Sequence, residues 1–312
     1  MRKLFTALAA VAAAVAIVAV PAGAITNGVP DGNAHPYVGE LLFYVPDEVD
    51  PDFTDPGAWF TCTGTLLSSA VVLTAGHCTF GVGANGVATT PSGGGGGDDV
   101  WVNFDEAPDF SILPPSSTFA PGGNQQRYEA WSNALNADPA WHRGTAHPHP
   151  LFDPVNFFLH DAGIVLLDQP LNMPEYGQTA PLGALDAFAK NQKNSQLFTP
   201  VGYGLNKSGP PSSGKDAGGD TRFQGTVKID SLTGFGVPVG TMVKFSNNNG
   251  KPHQGGTCFG DSGGPYFVEG TREIVAITSF GTNDNCAGTG GAYRIDQPDD
   301  IDFLATYGVT PS

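Results

Sequence analysis

Short apolar runs, broken every few residues by Gly, Pro, Ser and Asp, set the pattern of the chain from Ile25 onwards. Leu41-Leu42-Phe43-Tyr44-Val45, Gly64-Thr65-Leu66-Leu67 and Ala70 to Thr74 have the length of strands and are bounded by turn residues, which predicts β-structure. Val100-Trp101-Val102-Asn103-Phe104 alternates like a strand. The second half repeats the pattern at Leu197 to Gly204, Phe223 to Ile229, Thr241 to Phe245 and Ile274 to Gly281. Between these runs, Thr89 to Asp99 carries five consecutive glycines (Gly93–Gly97) and reads as a surface loop. Asp105 to Gly123, rich in Pro and Ser, and Asn206 to Asp220, rich in Gly, Pro and Ser, read the same way. A helix is predicted near the end, where the acids of Asp299-Asp300-Ile301-Asp302-Phe303-Leu304 suit a helix start and Gly308 a stop.

Residues 1–24 follow another pattern. Arg2 and Lys3 precede an Ala/Val-rich run from Ala7 to Val20 that ends in Pro21-Ala22-Gly23-Ala24, which predicts a secretory signal peptide cut before Ile25. The run is short for a membrane span and nothing similar follows it, so a secreted chain with no membrane anchor is expected. The remainder of the 312 residues is long enough for two compact domains. A hydrophobic content of 40% is ample for a core. The net charge of −16, with no clustered basic residues, argues against a nucleic-acid partner and is read as a solubilising surface. Four cysteines in an exported chain predict disulfides and by themselves allow three connectivities, while their spacings are not those of paired zinc ligands. His147-Pro148-His149-Pro150 brings two histidines close, but no cluster of acids or histidines completes a ligand set in the sequence. The stretch is read as loop, with no metal and no cofactor expected.

Three stretches carry candidate chemistry. Gly260-Asp261-Ser262-Gly263-Gly264-Pro265 resembles the nucleophile loop of chymotrypsin-like serine proteases. Leu73-Thr74-Ala75-Gly76-His77-Cys78 resembles the family's histidine loop, and His160-Asp161-Ala162-Gly163 followed by Ile164 to Leu167 resembles its aspartate strand. The order His, Asp, Ser is that of the chymotrypsin group. Asp153 and Asp168, the rival acids, sit in turns beside prolines. The resemblance spans Ile25 to about Leu304 and implies an all-β fold of two antiparallel β-barrels with a short C-terminal helix. The first barrel would occupy 25–170 and carry His77 and Asp161; the second, 171–312, would carry Ser262. The 84 positions from His77 to Asp161 exceed the family's need, so insertions are expected in the first barrel. The resemblance also pairs Cys62 with Cys78 and Cys258 with Cys286.

The implied activity is hydrolysis of peptide bonds in protein or peptide substrates by a secreted monomer. Ser262 attacks the carbonyl, His77 is general base and then acid, and Asp161 orients and stabilises the imidazole. Ser279 resembles the serine that supports the buried aspartate. The N–H groups of Gly260 and Ser262 are the expected oxyanion donors, because glycine lets the backbone take the required shape. In the family the primary pocket has its base six residues before the nucleophile, here Gly256 beside Thr257, and its walls at Gly281 and a glycine near Gly290 or Gly291. An uncharged base between glycine walls suits an apolar or aromatic residue on the acyl side. A glutamate-preferring enzyme and an inactive binding homologue are the alternatives; Thr278 stands where the former carry a histidine, and all three catalytic residue types are present. Finally, Ile25-Thr26-Asn27-Gly28 resembles the mature start of family members, whose freed amine pairs with the aspartate before the nucleophile, here Asp261.

Overall fold

A computed structural model describes residues 25–83, 95–191, 195–207, 219–234, 236–247 and 255–312. The signal-peptide reading of 1–24 lies outside the described residues, as do parts of the loops expected at 89–99 and 206–220. The chain opens with β1 (Val29–Pro30), then forms β2 (Val38–Val45), β3 (Ala58–Leu66), β4 (Val71–Thr74), β5 (Val100–Asn103), β6 (Trp141–Pro148) and β7 (Gly163–Leu167), with helix α1 (Asn124–Ala137) between β5 and β6. The strands β2 to β7 close a barrel in the order β2-β3-β4-β7-β6-β5, all antiparallel.

The second half contains β8 (Gln178–Thr179), α2 (Ala184–Asn191), β9 (Phe198–Gly202), β10 (Phe223–Gln224), β11 (Ile229–Ser231), β12 (Met242–Asn247), β13 (Pro265–Val268), β14 (Glu273–Gly281), β15 (Gly288–Arg294) and α3 (Pro298–Ala305). With β1 they make a nine-stranded sheet, ordered β1-β10-β9-β13-β14-β15-β12-β11, with β8 added in parallel to β14. The mostly-β architecture and the short C-terminal helix agree with the sequence expectation, though only the first sheet closes. The run Phe223 to Ile229, read as one strand, is two: β10 pairs with β9, a bridge from Val227 to Phe198 prolongs that pairing, and β11 then pairs with β12.

Strands β2, β4 and β5 of the first barrel are buried on both faces. Inside, Leu41, Phe43, Val72, Val102 and Ile164 belong to the main core. Outside, Leu42 and Trp101 pack with Leu135 of α1, Trp141 and Leu113 in a second cluster. Thus the insertion after β5 is a cover for the barrel wall, and it carries α1, which the sequence pattern did not predict. The helix is mostly polar, and its first N–H groups are capped from outside by the carboxylate of Asp55, at 3.2 Å from Asn124 N and 3.1 Å from Gln125 N. Short 3₁₀ turns at Phe110–Ile112 and Ser116–Thr118 fill the segment read as irregular loop.

Helix α3 covers the predicted 299–304, begins with proline and carries Asp299 and Asp300 in its first turn. Gly308 follows with φ 75°, as a stop residue should. The two sulfur bridges join Cys62 to Cys78 and Cys258 to Cys286, the pairing the resemblance implied. Among the described residues no helix is long and apolar enough to cross a membrane.

Candidate active site

A single 3₁₀ turn, Gly76–Cys78, follows β4 and is pinned by the bridge to Cys62. It turns His77 toward the residue just ahead of β7, Asp161, which is fully buried. Asp161 Oδ1 accepts the backbone N–H of His77 at 2.9 Å, and both its carboxylate oxygens lie 3.0 Å from His77 Nδ1. Ser279 on β14 donates its hydroxyl to Asp161 Oδ2 at 2.6 Å. Burial would depress the His77 pKa, but the charge and hydrogen bond of Asp161 more than offset it and hold the imidazole above its ordinary value. The rival acids are elsewhere: Asp153 accepts from Val155 N and Asn156 Nδ2, and Asp168 continues the strand edge through its N–H to the Arg143 carbonyl.

Ser262 comes from the other sheet, in the turn leading to β13, and lines a groove with His77. No hydrogen bond joins the two side chains among the described residues. Around Ser262 the loop is fixed almost atom by atom. Gly260 has φ 93°, and a Cβ there would come 2.7 Å from Gly204 Cα. Gly263 has φ 76°, and a Cβ would run into the Thr74 hydroxyl. Both positions therefore require glycine. The N–H groups of Asp261, Gly263 and Gly264 are spent on the carbonyls of Cys258, Thr278 and Asp261. Those of Gly260 and Ser262 find no partner among the described residues, which leaves two donors beside the hydroxyl.

Thr63, on β3 of the barrel, was not singled out by the sequence. Its N–H donates to the Ser262 carbonyl at 2.8 Å and its hydroxyl to the Gly260 carbonyl at 3.0 Å, while that hydroxyl accepts Tyr203 N–H at 3.1 Å. One barrel residue thus holds the loop that carries the other sheet's serine. The only sequence clue is its place next to Cys62 on a strand entering the crevice.

Asp261, directly before Ser262, is fully buried. Its carboxylate accepts N–H groups of Cys258 at 2.7 Å, Gly204 at 2.9 Å and Ile25. Burial still pushes its pKa up to about 7, against the lowering effect of those three donors. Ile25 is itself fully buried against Phe223, and its φ of 58° is unusual for a β-branched residue.

A cavity of about 300 Å³ opens beside Ser262, lined by Thr257, Gly281, Phe157, Phe280, Asn283 and Asp284 among others. Gly256 is not in its wall. Its backbone is paired with Thr26 instead: the Thr26 N–H and hydroxyl donate to its carbonyl at 2.8 and 2.9 Å, and its own N–H returns to that hydroxyl at 3.1 Å. Gly291 lies under the Phe280 ring, where a Cβ would come within 2.7 Å. Aromatic rings rim the site, with Phe157 edge-on to His77 at 6.0 Å and to Phe280 at 6.1 Å. Away from the crevice, His149 is joined by His160 and Asp299, residues too distant in sequence to be read as its companions.

The trypsin family model matches residues 136–298, just over half the chain. That span includes Asp161, Ser262 and Ser279, and His77 precedes it. Among solved structures, HL collagenase is 16% identical, with a TM-score of 0.59 over 92% of this chain and 100% of that one. Neuropsin, a serine protease expressed in the limbic system of mouse brain, is 19% identical, with a TM-score of 0.55 over 91% of this chain and 98% of that one. At such identities the likeness concerns the fold.

Proposed function

The chain belongs to the trypsin family of serine proteases, and from that premise we propose that it is a secreted serine endopeptidase working through an acyl-enzyme on Ser262. The observation that carries this reading is the chain of contacts Ser279–Asp161–His77 arriving beside Ser262 at two unspent backbone N–H groups. In this reading Asp161 holds the His77 proton on Nδ1, which leaves Nε2 free to take the Ser262 proton as the hydroxyl attacks. The N–H groups of Gly260 and Ser262 receive the charge that develops on the carbonyl oxygen. His77 then returns the proton to the leaving amine, and water repeats the cycle on the acyl-enzyme.

A large apolar or aromatic side chain on the acyl side suits the ring-lined cavity better than a charged one. Thr278, where glutamate-preferring members carry a histidine, lines this cavity and offers no cation to a glutamate, which disfavours that alternative. Cleavage-site profiling on a peptide library tests this, and faster cleavage after Glu than after Phe or Leu would overturn it. Activation by export is part of the same reading. A cut before Ile25 would turn its N–H into an ammonium already beside Asp261, and with no preceding peptide the unfavourable φ of Ile25 ceases to exist. The enzyme reading is tested by a serine-reactive fluorophosphonate: the mature chain should be labelled and Ser262→Ala should not. Labelling that survives the substitution, or none in the unmodified chain, would favour the inactive homologue.

A further inference from the structure

At a place that shares no lining residue with the crevice, the loop entering β7 meets the first turn of α3 through His160 and Asp299. His149, His160 and Asp299 converge there, with their potential ligand atoms all within 4.8 Å of one another. We propose that these three side chains form a binding site for a divalent transition-metal ion of the zinc class, which ties the C-terminal helix to the residue next to Asp161.

The geometry carries this in three ways. First, His160 Nδ1 lies 2.8 Å from Asp299 Oδ2, yet this buried nitrogen makes no hydrogen bond. The oxygen therefore lies well off the in-plane direction of the nitrogen. Two such atoms, touching but not aimed at each other, can both face a third point. Ligands about 2.0–2.1 Å from one ion stand roughly 2.9–3.4 Å apart for angles between 90° and tetrahedral, so this pair needs little movement. Second, His160 is held with φ 53°, in the left-handed region, and its ring stacks at 5.1 Å and 12° on that of His149. Both imidazoles are thus presented from one patch by the fold. Third, His149 is buried, and its ring is also held edge-on to Phe303 of α3 at 4.8 Å, so its place beside the other two ligands is fixed by packing.

His149 Nδ1 now accepts the Leu151 N–H at 3.1 Å. Binding through Nε2 gives up its 3.5 Å contact with the Asp299 carbonyl, moves the ring proton to Nδ1 and releases the Leu151 N–H to water, which the exposed turn at Leu151 permits. Access is provided by an adjoining cavity of about 550 Å³, lined in part by His149, Leu151, Asp299, Asp302 and Tyr307. Water from it would complete the coordination. Two imidazoles and one carboxylate suit zinc, cobalt or nickel rather than calcium or magnesium, which take oxygen ligands. The other metal-like group, Cys62, His77 and Cys78, has both sulfurs committed to a disulfide and is no rival.

The test is zinc titration of untagged full chain carrying Ser262→Ala to prevent self-digestion, read by calorimetry and by Tm. One equivalent should bind with a micromolar Kd, and zinc at about a hundred times that Kd should raise Tm by about 5 °C. His160→Asn, which keeps a residue tolerant of the left-handed region, should weaken binding about tenfold or more. Asp299→Asn, on the partly exposed face of α3, should do the same and serves if the first variant folds poorly. Cobalt should give the visible absorption of a low-coordinate site in the parent and lose it in both variants. Absence of saturable binding would overturn the proposal. So would binding unchanged in both variants, or binding that survives them but vanishes in His77→Ala.

Discussion

Two buried acids a few residues from the chemistry are handled in opposite ways. Asp161 meets an imidazole and a serine hydroxyl, and the result is a His77 held above its ordinary pKa. Since a general base must be neutral, the acid limb of kcat/KM should rise with an apparent pKa above about 6.5, the unperturbed histidine value. Asp161→Asn should lower kcat by about four orders of magnitude by allowing the wrong tautomer, and a loss of less than about tenfold would remove Asp161 from the proposed machinery. Asp261, by contrast, meets only backbone N–H groups and stays near 7. A chain that still carries Ala24 should become less stable as pH climbs from about 4 to 7, because the folded state keeps a proton that the unfolded state has released; the loss is up to about 4 kcal/mol. The mature chain, with an ammonium beside Asp261, should lack that slope. Urea unfolding of both forms across this pH range makes the comparison, and parallel slopes would contradict the pairing. Both acids were legible as motif members. Ser279 and Ile25 were named as their partners by resemblance, but the N–H groups of Cys258 and Gly204 that face Asp261 were not, because no side-chain type marks a backbone donor.

At the level of elements, the sequence was most informative where backbone conformation and chemistry coincide. Gly260 and Gly263 could be picked out because their positive φ and close neighbours admit no Cβ. Most strands and the acid-rich start of α3 were legible from runs and turn residues. Helix α1 was not, because its cap comes from Asp55 and its buried face packs on a barrel wall that composition cannot reveal. Gly256 was assigned to the pocket from its place in the motif, whereas the register of Thr26 against it takes up its backbone. Thr63 was missed because it stands just before the run read as a strand at Gly64 to Leu67, and its partners Gly260 and Tyr203 are far from it in sequence. Its hydroxyl serves Gly260 and Tyr203 together, so Thr63→Val should strand two buried groups and cost about 1–3 kcal/mol each at most. If the role is to position the loop, kcat should fall while KM changes little. A loss of stability with kcat intact would make Thr63 a structural tie alone.

Taken whole, the molecule assembles its candidate site from both sheets: His77 and Asp161 from the closed barrel, Ser262 and Ser279 from the second sheet. Arg222 is one of the ties between them. Fully buried, it bonds Asp31 at 3.0 Å and the barrel carbonyls of Val38 and Phe104 at 2.9 and 3.0 Å. Arg222→Ala would leave Asp31 as a buried, half-paired charge and should cost about 3–5 kcal/mol, measurable by urea unfolding. The N-terminal reading belongs to this scale too, since Ile25 closes against the second sheet. Mature protein beginning at Ile25 should be far more active than protein that keeps Ala24, and equal activity would rule out activation by export. The central claim is that the residues gathered from the two sheets act as one catalytic unit. It is tested most directly by kcat for Ser262→Ala, His77→Ala and the double variant. Each single change should cost on the order of 10⁴-fold or more, with the double scarcely worse than either. Losses that multiply independently in the double variant would contradict the account.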